Sequence, residues 1–234
     1  MLDRKPDVPE FDRYAPAYAE LLDDPIRNRF VRDPLHFHRR KWVVIQSLFK
    51  RFGIQASSQR WLDVGCGQGE LLSLGGSSFA SAVGCDPSAN MLRPDASFRT
   101  VLQPSLVELP FESGSLDFVT AVCVYHHVHG DARELLTNEI RRVLRPGGLC
   151  CIFEHNPWNP VTQTIVKRCA VDVDAELLTV GTARRMLSRS DFRIRRTEYF
   201  LYLPESLFPS LGAAEKLLSR VPLGGQYALL AQKP

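Results

Sequence analysis

Two short stretches carry most of the side chains able to move a proton near neutral pH. "YHHVH" spans Tyr125 to His129 and "EHNPWNP" spans Glu154 to Pro160, and together they hold four of the six histidines. Imidazole titrates closest to neutrality of all side chains, so such clusters read as general bases or as anchors for a polar substrate. A third stretch, "WLDVGCGQGE" from Trp61 to Glu70, places Gly65, Gly67 and Gly69 at alternate positions just after Asp63. Glycines spaced this way let the backbone turn with positive φ and let a ligand approach it closely.

The elements that must position these residues alternate in kind. Apolar or β-branched runs occur at 60–64, 80–85, 116–124, 149–153, 192–201 and 226–231. Helix-like segments separate most of them, clearest at 132–144, where Leu135, Leu136, Ile140, Val143 and Leu144 recur at helical spacing before "RPGG" breaks the pattern. Such alternation predicts an α/β fold with a doubly wound, mostly parallel sheet. The run after Gly224-Gly225 is compatible with a final antiparallel strand. The first sixty residues do not alternate: "FDRYAPAYAELL" and "HFHRRKWVVIQSLFKRF" read as helices, giving a helical cap over 1–58 and a core over 59–234.

Composition excludes several classes. Hydrophobic content of 44% and charged content of 24% in 234 residues are those of a globular protein. The start, "MLDRKPDVPEF", is charged and proline-rich where a secretory signal needs apolar residues, and no window approaches 18 apolar residues, so the expectation is a soluble cytoplasmic protein with no membrane insertion. Six cysteines without C-x-x-C spacing predict neither disulfides nor a metal site. A net charge of +3 is small, and Arg184, Arg185, Arg189, Arg193, Arg195 and Arg196 read as a solvated helix face and strand edge, so no nucleic-acid partner is expected.

A dinucleotide fingerprint fails, because Glu70 stands where a third glycine or alanine is needed after Gly65 and Gly67. The pattern acid-x-G-x-G-x-G is satisfied instead, and a carboxylate so placed suits a ligand with a cationic amine and repels a pyrophosphate. "LDVGCGQGE" resembles the first motif of the class I S-adenosylmethionine-dependent methyltransferases. "VGCDPSANML" is similar to their second motif, "VELPFESGSLDFVTAVCVYHHV" to the adenine loop and fourth strand, and "EIRRVLRPGGLCCIFE" to the helix, turn and fifth strand.

That resemblance implies a Rossmann-like, seven-stranded sheet with an antiparallel last strand, and S-adenosylmethionine as cofactor. It implies cofactor contacts from Asp63, Gly65, Cys66, Gly67, Gln68 and Gly69, from Asp86 with Pro87, Ser88 and Met91, and from Val124. Ser105 stands where the family often has an acid that accepts from the adenine amino group; Ser105, or the backbone of Leu106 and Val107, takes that place here. In the family the histidine of such a "YHHV" stretch reaches the active site, which makes His127 the first candidate for base or anchor, followed by His155 and Glu154. An insertion over about 155–178 builds an acceptor pocket in relatives; Asn156, Trp158, Asn159, His126 and Tyr18 are the expected substrate contacts. Tyr14, Arg39 and Lys41 of the cap are expected to close over the cofactor, with a cation meeting its carboxylate. The acceptor expected is a small molecule, anionic if it uses the basic stretch, from a natural-product or glycan pathway. Methylation of protein or RNA, and a non-catalytic cofactor-binding module, are the alternatives.

Overall fold

The computed structural model describes residues 10–33, 35–93, 95 and 97–234. Seven strands form one sheet: β1 (Arg60–Val64), β2 (Ser81–Asp86), β3 (Arg99–Leu102), β4 (Leu116–Val122), β5 (Leu144–His155), β6 (Arg193–Phe200) and β7 (Gln226–Gln232). Their order is β3-β2-β1-β4-β5-β7-β6. β7 runs antiparallel to both neighbours, and every other neighbouring pair is parallel. Four helices precede the sheet, α1 (Glu10–Tyr14), α2 (Tyr18–Leu21), α3 (Pro25–Phe30) and α4 (His36–Phe52). Five follow within it: α5 (Glu70–Gly75), α6 (Ala132–Val143), α7 (Pro160–Arg168), α8 (Val180–Arg189) and α9 (Phe208–Leu217).

The sheet is apolar on both faces because its central strands are buried on both. Side chains alternate across the pleat: Cys150 and Ile152 join Val119, Leu229 and the inner faces of α6 and α8, whereas Cys151 and Phe153 join Phe118, Leu230 and the inner face of α4. α4 is fixed by Trp42, whose ring stacks on Trp61 at 6.2 Å and fills the space where a Cβ on Gly75 would sit. At its other edge α4 is joined to α9 by a buried Arg40–Glu215 ion pair, with the guanidinium 3.4 Å above the Phe208 ring.

Three local expectations are corrected. The first helix is broken, because Pro16 opens a short 3₁₀ turn over Ala15–Ala17 between α1 and α2. β3 escapes the sequence pattern, being four residues at the sheet edge with no buried member. "RPGG" does not separate helix from strand: Leu144 already pairs with Leu116, and a register shift between Leu116 and Phe118 absorbs the four residues as a bulge within β5.

The amino ends of β1, β4 and β5 meet at one buried acid. Asp117 accepts from the Arg60 backbone N–H at 2.8 Å and from its Nε at 2.7 Å, and also pairs with Arg145. Burial alone would raise this carboxyl, but the hydrogen bonds from Arg60 and Arg145 outweigh it and hold the pKa at about 2, below the ordinary 3.8. That stabilisation is complete above about pH 4 and is lost as pH falls toward 2. Asp117→Asn is expected to cost about 1–3 kcal/mol at pH 6, and urea melts of mutant and wild type should converge as the pH is lowered through this window.

Candidate active site

The glycine turn at the carboxyl end of β1 is left-handed at all three glycines, with φ of +63° at Gly65, +54° at Gly67 and +82° at Gly69. The reason differs from a ligand pressing on every position. A Cβ on Gly65 would lie 2.6 Å from Val124 Cγ2, and one on Gly69 would lie 2.4 Å from the Phe98 ring. Both positions are closed by the protein's own side chains. Gly67 is the open one, with only Met91 Cε at contact distance, and its N–H points at Asp86 Oδ2 (2.9 Å).

Asp86 closes β2 and also accepts from the Ser88 N–H at 2.9 Å. Each carboxylate oxygen keeps a lone pair for a further donor. The neighbouring turn is tied to the cap: Ser88 Oγ donates to Asp12 Oδ1 of α1 at 2.5 Å, and the Asn90 N–H reaches the same oxygen. Asp63 lies beneath the turn, 2% exposed, and accepts from Thr120 Oγ1 at 2.5 Å. Burial pushes its carboxyl up to about 7, against the pull of that hydrogen bond.

Lys41 supplies the missing cation. It is buried, with no hydrogen bond or ion pair among the described residues, and its charge acts on Asp63, Glu70, Cys123 and His155. Arg39, expected beside it, points the other way and pairs with Asp33 on the outer side of α4. Positions two apart on a helix lie on nearly opposite faces, so only one of the two can reach the site. Tyr14 packs edge-on against Phe11. Tyr18 lies where Glu70, Cys123 and Asp172 are felt together, and burial with these charges pushes its hydroxyl well above the usual range. Ser105 faces its own turn, its Oγ accepting from the Val107 N–H at 3.4 Å and its carbonyl from Gln103 Nε2 at 2.6 Å; Leu106 is half-exposed. Pro87 follows Asp86 directly, and Gln68 and Cys66 lie within the turn, where the Cys66 N–H holds the Cys85 carbonyl at 3.0 Å.

Beside this turn, the carboxyl ends of β4 and β5 assemble the histidines. Cys123 takes a left-handed conformation (φ +56°), which is costly for a non-glycine residue and swings "YHHV" over the end of β5. Glu154, wholly buried, accepts from the Tyr125 N–H at 2.8 Å and from His126 Nδ1 at 2.6 Å. Asp172 Oδ1 lies 3.5 Å from His126 Nε2 and 3.4 Å from His127 Nε2. Burial alone would lower His126, but Glu154 and Asp172 outweigh it and raise its pKa well above the ordinary value. For the carboxylates burial acts upward and is overcome: Glu154 by His126, Asp172 by both imidazoles, so both stay ionised. His126, His127 and Asp172 each offer a ligand atom within 4.8 Å of the others.

The remaining candidates divide. His155 is half-buried, with its Nδ1 3.4 Å from Gln226 Nε2 and its ring centroid 5.1 Å from that of His126, and desolvation lowers its pKa to about 4, so it is neutral. Glu154 positions His126 and is too enclosed to meet a substrate. Asn156 and Asn159 are spent on backbone: Asn156 Nδ2 donates to the carbonyls of Pro222 and Gly224, and Asn159 caps α7 through the Thr162 N–H while donating to Leu223. Trp158 is 67% exposed. Sequence reasoning missed Asp172, Asp12, Phe11 and Gln226. Phe11 and His127 meet with their ring centroids 4.9 Å apart and their planes perpendicular. Asp172 lies 45 residues beyond His127 in chain order, and no spacing rule joins them.

A buried acid for an amine, a strand-end acid for a diol, and an unpartnered buried lysine for a carboxylate form a donor and acceptor set that fits S-adenosylmethionine. The family model described as "Methyltransferase domain" matches residues 62–152, the span holding the glycine turn, Asp86 and the histidines. Residues 62–152 are a methyltransferase domain of the class I S-adenosylmethionine-dependent type. S-adenosylmethionine is accordingly its cofactor. The chain is 29% identical over 216 residues to the ubiquinone/menaquinone biosynthesis C-methyltransferase UbiE of Syntrophotalea carbinolica, covering 87% of this chain and 80% of that one. It is 32% identical over 94 residues to the mouse (Mus musculus) tRNA (carboxymethyluridine(34)-5-O)-methyltransferase ALKBH8, covering 39% of this chain and only 14% of that protein's length. Among solved structures, an S-adenosylmethionine-dependent methyltransferase from Mesorhizobium loti superposes with a TM-score of 0.60 at 20% identity, over 83% of this chain and 98% of that one, which shows the shared fold.

Asp63 makes cofactor binding sensitive to pH in a defined direction. With its carboxyl near 7 in the cofactor-free protein, it must lose a proton to meet an ammonium group. Affinity for S-adenosylmethionine is expected to be flat above pH 8 and to fall up to about tenfold per unit below pH 7, a dependence that Asp63→Asn removes. Calorimetric titrations from pH 5.5 to 8.5 check this. In the same assay Lys41→Met is expected to weaken binding at least about tenfold.

Proposed function

We propose that the protein transfers the methyl group of S-adenosylmethionine to an oxygen or nitrogen of a small-molecule acceptor, with His127 as the base. The observation that carries this is the continuous contact Glu154–His126–Asp172–His127 at the strand ends beside the glycine turn. The cofactor supplies a methyl group already activated on a sulfonium. Asp172 holds His127 through Nε2, which fixes the tautomer and leaves Nδ1 free to accept the acceptor's proton. His126, charged between Glu154 and Asp172, keeps Asp172 ionised and in place. Phe11 covers the imidazole of His127 and limits water there.

The small-acceptor reading is supported by where the arginines lie. Arg193 pairs in register with Gln232 at one end of β7, whereas Phe200 and His155 flank Gln226 at the other. Six strand residues set Arg193 roughly 20 Å from the histidines along the sheet, so a nucleic acid held at that end would not lead into the site. The relatives named for tRNA and for quinone biosynthesis keep both acceptor classes in the screen.

Transfer from methyl-labelled S-adenosylmethionine to phenols, sugar hydroxyls, amines and their phosphorylated forms, with tRNA as comparison, identifies the acceptor. His127→Ala is expected to lower kcat about 10²–10⁴-fold while leaving cofactor affinity within a factor of about three, and Asp172→Asn to lower it by an intermediate amount. Wild-type turnover in both variants would leave positioning alone as the mechanism, and labelling of tRNA alone would move the protein to the other acceptor class.

A further inference from the structure

The loop holding Trp158, released from any role in the pocket, belongs to a surface of its own. Asn156 and Asn159 clamp it to residues 222–224 through three hydrogen bonds of 2.8–3.1 Å, so Trp158 and Leu223 are presented together on a rigid platform. Trp158 is 67% exposed, Leu223 59% and Leu217 84%. Leu211, Leu218 and Val221 are further exposed apolar side chains of α9 and the turn after it. The turn is ordered from beneath, since Tyr202 donates its hydroxyl to the Leu218 and Val221 carbonyls and the Tyr199 N–H holds Ser219. An exposed apolar surface so firmly built marks a docking site.

Its charges indicate what docks. Between residues 206 and 224 the charged side chains are Glu215, Lys216 and Arg220. Glu215 is buried and neutralised by Arg40, so the exposed charges of this segment are both positive. Just before the segment stands Glu205, a partly exposed carboxylate that accepts from the backbone N–H groups of Arg32 and Asp33, with the Arg32 side chain exposed beside it. Leucines with an exposed tryptophan, rimmed by cations and free of exposed carboxylates over the segment, complement an anionic lipid surface: the side chains enter the headgroup boundary and the cations meet the phosphates. No described helix is long and apolar enough to cross a membrane, so the contact is peripheral.

We propose that the surface formed by Trp158, α9 and residues 217–223 docks this protein on anionic lipid bilayers. The docked edge is that of the candidate site, because Gly225 accepts from the Asn156 N–H and the next residue, Gln226, touches His155.

Flotation of the intact protein with vesicles of phosphatidylcholine alone, and of phosphatidylcholine with one quarter phosphatidylglycerol, tests this without reference to methyl transfer. Binding to the anionic vesicles is expected at low salt, at least tenfold weaker at 0.5 M salt, with a blue shift of tryptophan emission that Trp158→Ala removes. The double variant Leu217→Glu, Leu223→Glu is expected to lose flotation at least tenfold while keeping the wild-type melting temperature and cofactor affinity. Flotation with neither vesicle, or equal flotation of wild type and the double variant, overturns the proposal. So does a wild-type dimer in light scattering that the double variant splits and that does not float, which would assign the surface to a second copy of the chain.

Discussion

Two carboxylates share one imidazole, and the arrangement of the site follows from that balance. An ionised acid as enclosed as Glu154 is tolerable only beside a cation that also satisfies its lone pairs. His126 is that cation, and Asp172 is the second acid its charge permits. Because Asp172 comes from the segment after α7 while the histidines come from the end of β4 and Glu154 from β5, this single charge also pins three separate parts of the chain together. Removing the imidazole would leave Glu154 with the Tyr125 N–H alone and Asp172 with His127 alone, so the group that orders the base also helps hold the segment around Asp172 against the sheet.

The fold was legible because its signals are local and periodic. Asp63, the three glycines and Asp86 stand at fixed offsets from strand ends, and the alternation of apolar runs with helical ones announces the parallel sheet. What escaped was whatever depends on meeting across space. Asp172 carries no local mark, Asp12 reaches Ser88 from another element, and β3 is too short and too exposed to show a period. The asparagines of "EHNPWNP" looked like ligand contacts because asparagine can donate and accept in any direction. In the folded chain those capacities are consumed by carbonyls of residues 222–224 and by the start of α7. The glycines themselves were read correctly for conformation and only in part for cause, since Val124 and Phe98 occupy two of the three vacant Cβ positions.

Charge is distributed along the strand direction rather than evenly. The amino ends of the sheet carry Asp117 between two arginines and, farther across, Arg193 and Arg195. The carboxyl ends carry the buried acids Asp63, Asp86 and Glu154, with the half-buried Asp172 beside them and Lys41 and His126 as internal counter-charges. That acid-rich end is the one whose charge complements a sulfonium cofactor bearing an ammonium group.

The short helix α1 reaches two places at once. Asp12 holds the turn after β2 through Ser88 and Asn90, and Phe11 rests on His127 beyond β4. In the sheet order β1 lies between those strands, so α1 bridges the glycine turn. Spent cofactor leaving by that side must break both contacts, and fresh cofactor must restore them before the base is covered again. The same short helix therefore ties the diol-facing side of the glycine turn to the histidine side, so a change at either contact is felt at the other.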